Sequence, residues 1–336
     1  MSATPAAARV IVGTGGIGAG TTLELIGNRD LGREESRPVR RLDARDYCKL
    51  HIVFHYLQRL VGGQAHVVPI GRVGEDEAGE TLLRQIAEVG LPTRYVTRAA
   101  EPTLYSIAFV YPDGDGGNLT TVDSASSTVD AQDIRAAEAE LRAAAGAGIA
   151  VALPEVPLSA RLELLRMAGE HGAFRVASFV PDEAEDPGLH EFLGHVDLLA
   201  LNSDEAAALC DGAAGDGDGA ALLDRLRAAL AERGLAPQIV LTCGLRGSWT
   251  WDGERAGHAA AIPRPVRSTA GAGDAHLAGV ITGLVAGADL HAANAFAALV
   301  SSLKVASAHT IHPDLGWPLL EQAAAEHGLP LPGVRR

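Results

Sequence analysis

From residue 148 onward, short β-branched runs alternate with longer stretches of helical periodicity, and this alternation restricts the fold more than any other feature. Residues 148–153 read as a strand, 159–170 as a helix, 174–178 and 197–201 as strands, 203–210 and 220–233 as helices, and 238–242 as a strand. Strands separated by helices return to the same end of a sheet, so the sheet is parallel and both its faces are covered. The N-terminal half adds strands at 9–12 and 65–70 and helices at 46–60, 77–89 and 131–145. Trp249 and Trp251 mark a hairpin edge, and 273–286 and 290–308 read as the last long helices. Two polar regions, about 18–45 and 101–126, break the pattern. The second contains a hairpin, 104–111 and 118–123 around a turn at 113–117. Together they read as one small β unit inserted twice. The glycine/aspartate stretch 211–219 reads as a surface loop.

Composition narrows the function. The 336 residues carry a formal charge of −14, with 28 Lys+Arg against 42 Asp+Glu. A nucleic-acid binder needs a dense basic face, so that class is excluded. Nearly all the positive charge is arginine; Lys49 and Lys304 are the only lysines. Three cysteines, Cys48, Cys210 and Cys243, form no CxxC pair, which fits a reducing compartment. No basic-then-apolar leader opens the chain, and the apolar stretch 275–288 is too short for a bilayer, so a cytoplasmic location away from membranes is expected.

One segment carries chemistry on its face: Ser268-Thr269-Ala270-Gly271-Ala272-Gly273-Asp274-Ala275-His276. Small residues let the backbone turn tightly, so successive N–H groups can aim at one point. The helix that follows adds its own free N–H groups and positive dipole end. The result is an anion hole suited to a transferring phosphoryl group. Asp274, in the first helical turn, is placed to accept a proton from an incoming hydroxyl. Taken alone, the segment also reads as a glycine-rich helix start with a capping Asp.

With its neighbours the segment resembles the signature of the ribokinase/PfkB-type carbohydrate kinases. Further segments agree in order: Ile70-Gly71-Arg72-Val73-Gly74-Glu75-Asp76-Glu77-Ala78-Gly79-Glu80, Pro102-Thr103 before the hairpin, Leu153-Pro154-Glu155-Val156-Pro157, Asn202-Ser203-Asp204-Glu205, and Leu241-Thr242-Cys243-Gly244-Leu245-Arg246-Gly247. The resemblance covers roughly residues 9–310. It implies a ribokinase-like three-layer α/β/α sandwich, one domain over 1–336, with the two inserts as a β lid. It implies a kinase that moves the γ-phosphate of ATP to a hydroxyl of a sugar, sugar derivative, polyol or nucleoside. Asp274 would be the base, and Gly271, Ala272 and Gly273 the anion hole. Asn202 and Glu205 would organise Mg²⁺ through water, with no direct metal ligand. Thr242, Gly244 and Gly247 would line the nucleotide cleft, and Glu155 would lie near the acceptor. A homodimer through the lid strands is expected, since an uncovered sheet edge invites pairing.

Three departures stand out. The family's G-G-x-x-x-N helix start is replaced by Asp43-Ala44-Arg45-Asp46-Tyr47-Cys48-Lys49-Leu50-His51. The acidic clamp after the first strand is replaced by Gly15-Gly16-Ile17-Gly18-Ala19-Gly20. Ser268 stands where an acidic residue helps many relatives hold a monovalent cation, so dependence on K⁺ should be weak. The acceptor half is thus rewritten. Gly15, Gly16, Lys49 and His51 are candidate acceptor contacts, the glycines leaving room for a bulky group. Arg45, Lys49, His51 and His55 suggest an acceptor with a phosphate, carboxylate or base edge rather than plain ribose or fructose. His51 and His55, four apart on a helix, also have metal-ligand spacing.

Two other functions remain on the sequence. Gly13-Thr14-Gly15-Gly16-Ile17-Gly18 fits the G-x-G-x-x-G fingerprint of an NAD-dependent oxidoreductase, though the long helix that should follow is interrupted at Gly27-Asn28-Arg29-Asp30. The rewritten acceptor half also suits a non-catalytic nucleotide- or sugar-binding protein.

Overall fold

The computed structural model describes residues 8–112, 116–210 and 218–333. Part of the turn expected at 113–117, and of the loop expected at 211–219, lies outside them. The strands are β1 (Val10–Thr14), β2 (Gly18–Leu25), β3 (Val39–Tyr47), β4 (His66–Gly74), β5 (Val96–Ala99), β6 (Leu104–Val110), β7 (Gly116–Thr120), β8 (Gly148–Ala152), β9 (Phe174–Ala177), β10 (Leu198–Asn202), β11 (Gln238–Thr242), β12 (Ser248–Trp251) and β13 (Ala256–Ala259). The helices are α1 (Lys49–Leu60), α2 (Glu77–Glu88), α3 (Ala131–Ala136), α4 (Glu138–Ala144), α5 (Leu158–Glu170), α6 (Leu189–Gly194), α7 (Ser203–Leu209), α8 (Gly219–Glu232), α9 (Ala272–Val285), α10 (Leu290–Val305) and α11 (Trp317–His327).

Nine strands form the main sheet in the order β13-β12-β11-β10-β9-β8-β1-β4-β5. Its seven strands from β11 to β5 run parallel, and β12 and β13 return antiparallel at one edge. Helices cover both faces over two apolar cores, so the sheet is the middle of three layers, as the resemblance implies. The central strand β1 is buried at every position, as a strand covered on both sides must be. On one face Phe54, Leu57 and Leu60 of α1 are fully buried. Emptying such a site by Phe54→Ala costs about 3–5 kcal/mol.

The register places the chemistry. Thr14 pairs with Ile70 and with Ala152, and Asn202 pairs with Thr242. The carboxyl ends of β1, β8, β10 and β11 therefore lie along one edge, where open α/β sheets bind ligands.

The two polar inserts meet in a separate four-stranded sheet, β3-β2-β6-β7. In it β2 and β6 are parallel, and each carries an antiparallel partner. Asp76 and Thr103 anchor its second entry. The Asp76 carboxylate accepts from the Thr103 N–H at 2.8 Å and hydroxyl at 2.6 Å, and Gly74 N–H donates to Thr103 Oγ1 at 2.9 Å.

Several elements differ from the sequence expectations. The helix expected from residue 46 starts at Lys49, because Asp46 and Tyr47 continue β3. The helix expected over 131–145 divides at Ala137, which leaves helical geometry (φ −92, ψ 4). Strand β5 was missed because Val96-Thr97-Arg98-Ala99 is a short edge piece without alternation. The last long helix is α11 rather than α10. It opens with Pro318 in its first turn, ends on Gly328 at φ 63, and stacks Trp317 on Phe296.

Candidate active site

The segment 268–274 forms a tight turn that runs into α9. The Ala270 N–H donates to Ser268 Oγ at 3.3 Å, and the Ala272 N–H to Thr269 O at 3.0 Å. Gly271, the N-cap, has φ 76, and a Cβ there would lie 2.8 Å from the Thr310 carbonyl oxygen. An L side chain is disfavoured on both counts. The first amides of α9 have no intrahelical partner and share the positive end of its dipole. Asp274 stands in that first turn.

Lys49, the first residue of α1, faces it. Its Nζ lies 3.8 Å from Asp274 Oδ1. The Asp274 charge, with those of Glu205 and Glu155, holds the ammonium pKa well above the usual lysine range. Glu155 follows β8 with φ 74, a left-handed conformation rare for a side-chain-bearing residue and typical of functional sites. Its Oε2 accepts the Lys49 N–H at 2.9 Å and so caps α1. Burial lifts the Glu155 pKa to about 7, against the opposing pull of Lys49.

At the end of β10, Asn202 Oδ1 accepts from the N–H groups of Asp204 and Glu205, each at 2.9 Å, while Glu205 Oε2 accepts the Asn202 N–H at 2.9 Å. This reciprocal capping box starts α7 and fixes both side chains at the cleft. Glu205 is buried, and burial raises its pKa.

The structure brings together most of the expected residues. Lys49, Asn202, Glu205, Thr242, Gly273 and Asp274 line one cleft of about 60 Å³. Gly271 and Ala272 complete the turn beside it. Gly244 and Gly247 flank a short turn beyond β11, both at positive φ.

Other expected residues lie elsewhere. His51 is 2% exposed, packs its ring at a tilt against Tyr47 at 4.5 Å between centroids, and lines a different cavity of about 710 Å³ with His55, Arg45 and Arg59. Each residue turns an α-helix by about 100°, so residue 51 faces away from the side that Lys49 presents. Burial lowers the pKa of His51 to about 3 and of His55 to about 4, leaving both rings neutral. Of the four residues expected to form a cationic acceptor pocket, Lys49 lines the cleft with Asp274, whereas Arg45, His51 and His55 line the other cavity. The pair belongs to no group of three metal-ligating side chains among the described residues, where such a group occurs only at Glu138, Glu170 and His171.

The N-terminal glycines leave no room. A Cβ on Gly15 would lie 2.8 Å from Leu153 Cβ, and one on Gly16 would lie 2.2 Å from Glu155 Oε2. These positions are small because the protein's own side chains press against them. The dinucleotide fingerprint fails for a related reason: β1 runs into the strand β2, so no helix N-terminus awaits a pyrophosphate.

Asp46, although part of the rewritten helix start, and Lys304 were not among the expected site residues. Asp46 is 6% exposed and accepts a hydrogen bond from Ser106 Oγ at 2.7 Å. Its pKa is raised by burial, with Asp274 adding to the effect. Lys304 is fully buried and donates from Nζ to the Ser268 carbonyl at 2.9 Å. The signal was present: the chain's only two lysines, Lys49 and Lys304, both act on Asp274.

The sequence model of the pfkB family of carbohydrate kinases matches residues 53–315. The chain belongs to the pfkB carbohydrate kinase family. Among solved structures it is similar to a ribokinase from Giardia lamblia, with TM-score 0.80 and 16% identity, covering 96% of this chain and 100% of that one. It is similar to a ribokinase from Arabidopsis thaliana complexed with ribose and ATP, with TM-score 0.72 and 19% identity over 95% and 98% of the chains. It is also similar to a nucleoside kinase from Burkholderia thailandensis in complex with inosine, with TM-score 0.73 and 16% identity over 95% and 98%. At these identities the likeness is one of fold. No curated protein matches the sequence. Nothing in the family match or the fold supports an oxidoreductase. Among the described residues, no helix is long and apolar enough to cross a membrane.

Proposed function

We propose that this chain is an ATP-dependent kinase that phosphorylates a hydroxyl of a small, hydroxyl-rich acceptor. The observation that carries this reading is the pairing of Asp274 with Lys49 at the amide-rich start of α9. Asp274 takes the proton of the acceptor hydroxyl as its oxygen forms a bond to the γ-phosphorus. The bond from that phosphorus to the β-bridging oxygen breaks, and ADP leaves with the electron pair. The amides of the 271–273 turn hold the equatorial oxygens, and Lys49 offsets charge from the opposite side.

Asn202 and Glu205 offer oxygen donors at the cleft, already fixed by their capping box, and fit a water-mediated Mg²⁺. When bound there, Mg²⁺ would supply positive charge that partly neutralises the nucleotide phosphates. Nucleotide lies between the 244–247 turn and the start of α9.

On the acceptor side, Asp46, Ser106 and Glu155 offer hydrogen-bond acceptors to hydroxyl protons. That favours a sugar, polyol or nucleoside over a phosphate- or carboxylate-bearing compound, reversing the sequence expectation. The small sheet serves as the lid that excludes water, which would otherwise be phosphorylated. It exposes Tyr105 and Leu119, the latter at 58%, and a second copy covering this face gives a homodimer.

Asp274→Asn tests the assignment. Acceptor-dependent ADP formation should fall by about 10²–10⁴, with ATP affinity by calorimetry within a few-fold of wild type. Undiminished turnover would remove Asp274 from the reaction.

A further inference from the structure

The transfer step described above does not use Lys304, yet this lysine is the most deeply buried charge at the site. It lies in the last turn of α10, and its side chain is 0% exposed. Its ammonium donates to the Ser268 carbonyl at 2.9 Å, at the start of the phosphate-facing turn. The same helix end clamps that turn twice more: the N–H groups of Arg267 and Ser268 donate to Val305 O at 2.8 and 3.3 Å. Two charged groups act on it, Asp274 of α9 and Asp46 of β3, and it acts in turn on His312 in the segment before α11, whose pKa burial lowers with Lys304 adding to the effect. Burying an ammonium is costly, and an apolar side chain of similar size would fill the space without that cost. The charge itself is therefore what the position selects.

We infer that Lys304 is a built-in cation of the phosphate-binding turn: its ammonium holds the Ser268 carbonyl, keeps the 271–273 amides aimed at one point, and supplies the fixed positive charge that a bound monovalent ion would give. Lys304 is a positioning residue, acting on the phosphate through the turn. It makes added K⁺ unnecessary. Its charge is conditional, because burial lowers the pKa from 10.5 to about 8, against the pull of Asp274 and Asp46. Above about pH 8 the folded protein loses this charge, so the turn weakens and activity falls. Stability moves the other way. Between about 8 and 10.5 the unfolded chain holds the proton and the folded chain does not, so this group's contribution to stability rises with pH. A merely structural lysine would not uncouple activity from stability in this way.

The rate arms of the test rest on the kinase reading; the titration does not. With lysine labelled at Cε, the full chain gives two side-chain signals by NMR, and Lys49→Arg assigns them. The Lys304 signal should titrate near 8 and shift when ATP is added; titration at the ordinary value of about 10.5 with no response to ATP would overturn the inference. Wild-type turnover in KCl and in tetramethylammonium chloride, at equal ionic strength, should agree within about twofold. Lys304→Ala should lose at least about tenfold, in keeping with a lost charge-assisted hydrogen bond, and recover several-fold with ammonium or methylammonium. Lys304→Met, whose side chain fills the space, should lose as much and not recover. Saturable K⁺ activation of wild type, or a wild-type rate in Lys304→Met, would overturn it. If no acceptor is turned over, the titration and ATP calorimetry on Lys304→Met decide, with binding expected to weaken about tenfold. If the variants do not fold, the wild-type titration and K⁺ comparison decide.

Discussion

The two sides of the cleft are built from different material. The phosphate side is mainly backbone: a glycine turn, the first amides of α9, and a capping box that starts α7. The acceptor side proposed here draws on side chains from distant segments: Asp46 on β3, Ser106 on β6, and Glu155 after β8. A backbone site fits any nucleoside triphosphate equally and depends on turn geometry. A side-chain site can be rewritten residue by residue, and here it has been. The carboxylate missing after β1 has its counterpart in Asp46, which presses toward Gly20: a Cβ there would lie 2.5 Å from Asp46 Oδ2.

The contrast can be broken at Lys49, which touches both sides. Lys49→Met should lower turnover by about 10²–10³, the usual loss for one preorganised group facing transition-state charge. It should change the KM for ATP and for acceptor by much less. An effect confined to KM would make Lys49 a binding residue only. A smaller effect separates the halves. Asp46→Asn keeps the shape but weakens the acceptor for hydroxyl protons, so the acceptor KM should rise about tenfold while the ATP KM holds. His51→Ala should cost about 1–3 kcal/mol of stability and leave both KM values unchanged. A large rise in acceptor KM for His51→Ala would reverse the assignment of the two faces of α1.

The effect expected at Glu155 is read from the pH dependence of stability. Its pKa is raised from 4.5 to about 7 in the folded chain, so between these values the folded state holds a proton that the unfolded chain has lost. Wild-type stability therefore falls as pH rises through that window. Glu155→Gln does not titrate, so its Tm advantage over wild type should grow from about pH 5 to pH 8. A Tm difference that is constant with pH would show that Glu155 ionises normally.

The same contrast explains what the sequence could show. The phosphate side is written in contiguous residues, so Asp274, Asn202, Glu205 and Thr242 were legible from local motifs, and all four line one cleft. The acceptor side depends on where a strand stops. Once Asp46 and Tyr47 belong to β3, alternation turns Asp46 toward Ser106 and Tyr47 toward His51. A reading that began α1 at residue 46 lost that alternation, and it grouped His51 with Lys49 although residues two apart on a helix point in nearly opposite directions. Lys304 was invisible for another reason: it is the one Lys, Arg, Asp or Glu of a largely apolar helix, and only the folded chain brings it to Ser268. The inner strands of the main sheet were legible as short, largely apolar runs, whereas β5 carries one buried β-branched residue and β13 (Ala256-Gly257-His258-Ala259) none, and neither edge strand gave a signal.

Phosphorus NMR of the full chain with Mg–ATP and a panel of free sugars, polyols, nucleosides, cyclitols and sugar phosphates tests the central claim most directly. The account predicts that ADP and one new phosphomonoester signal appear together, with an uncharged hydroxyl-rich acceptor. ATP that stays intact against the whole panel, or phosphate released to water with no phosphomonoester, would contradict it.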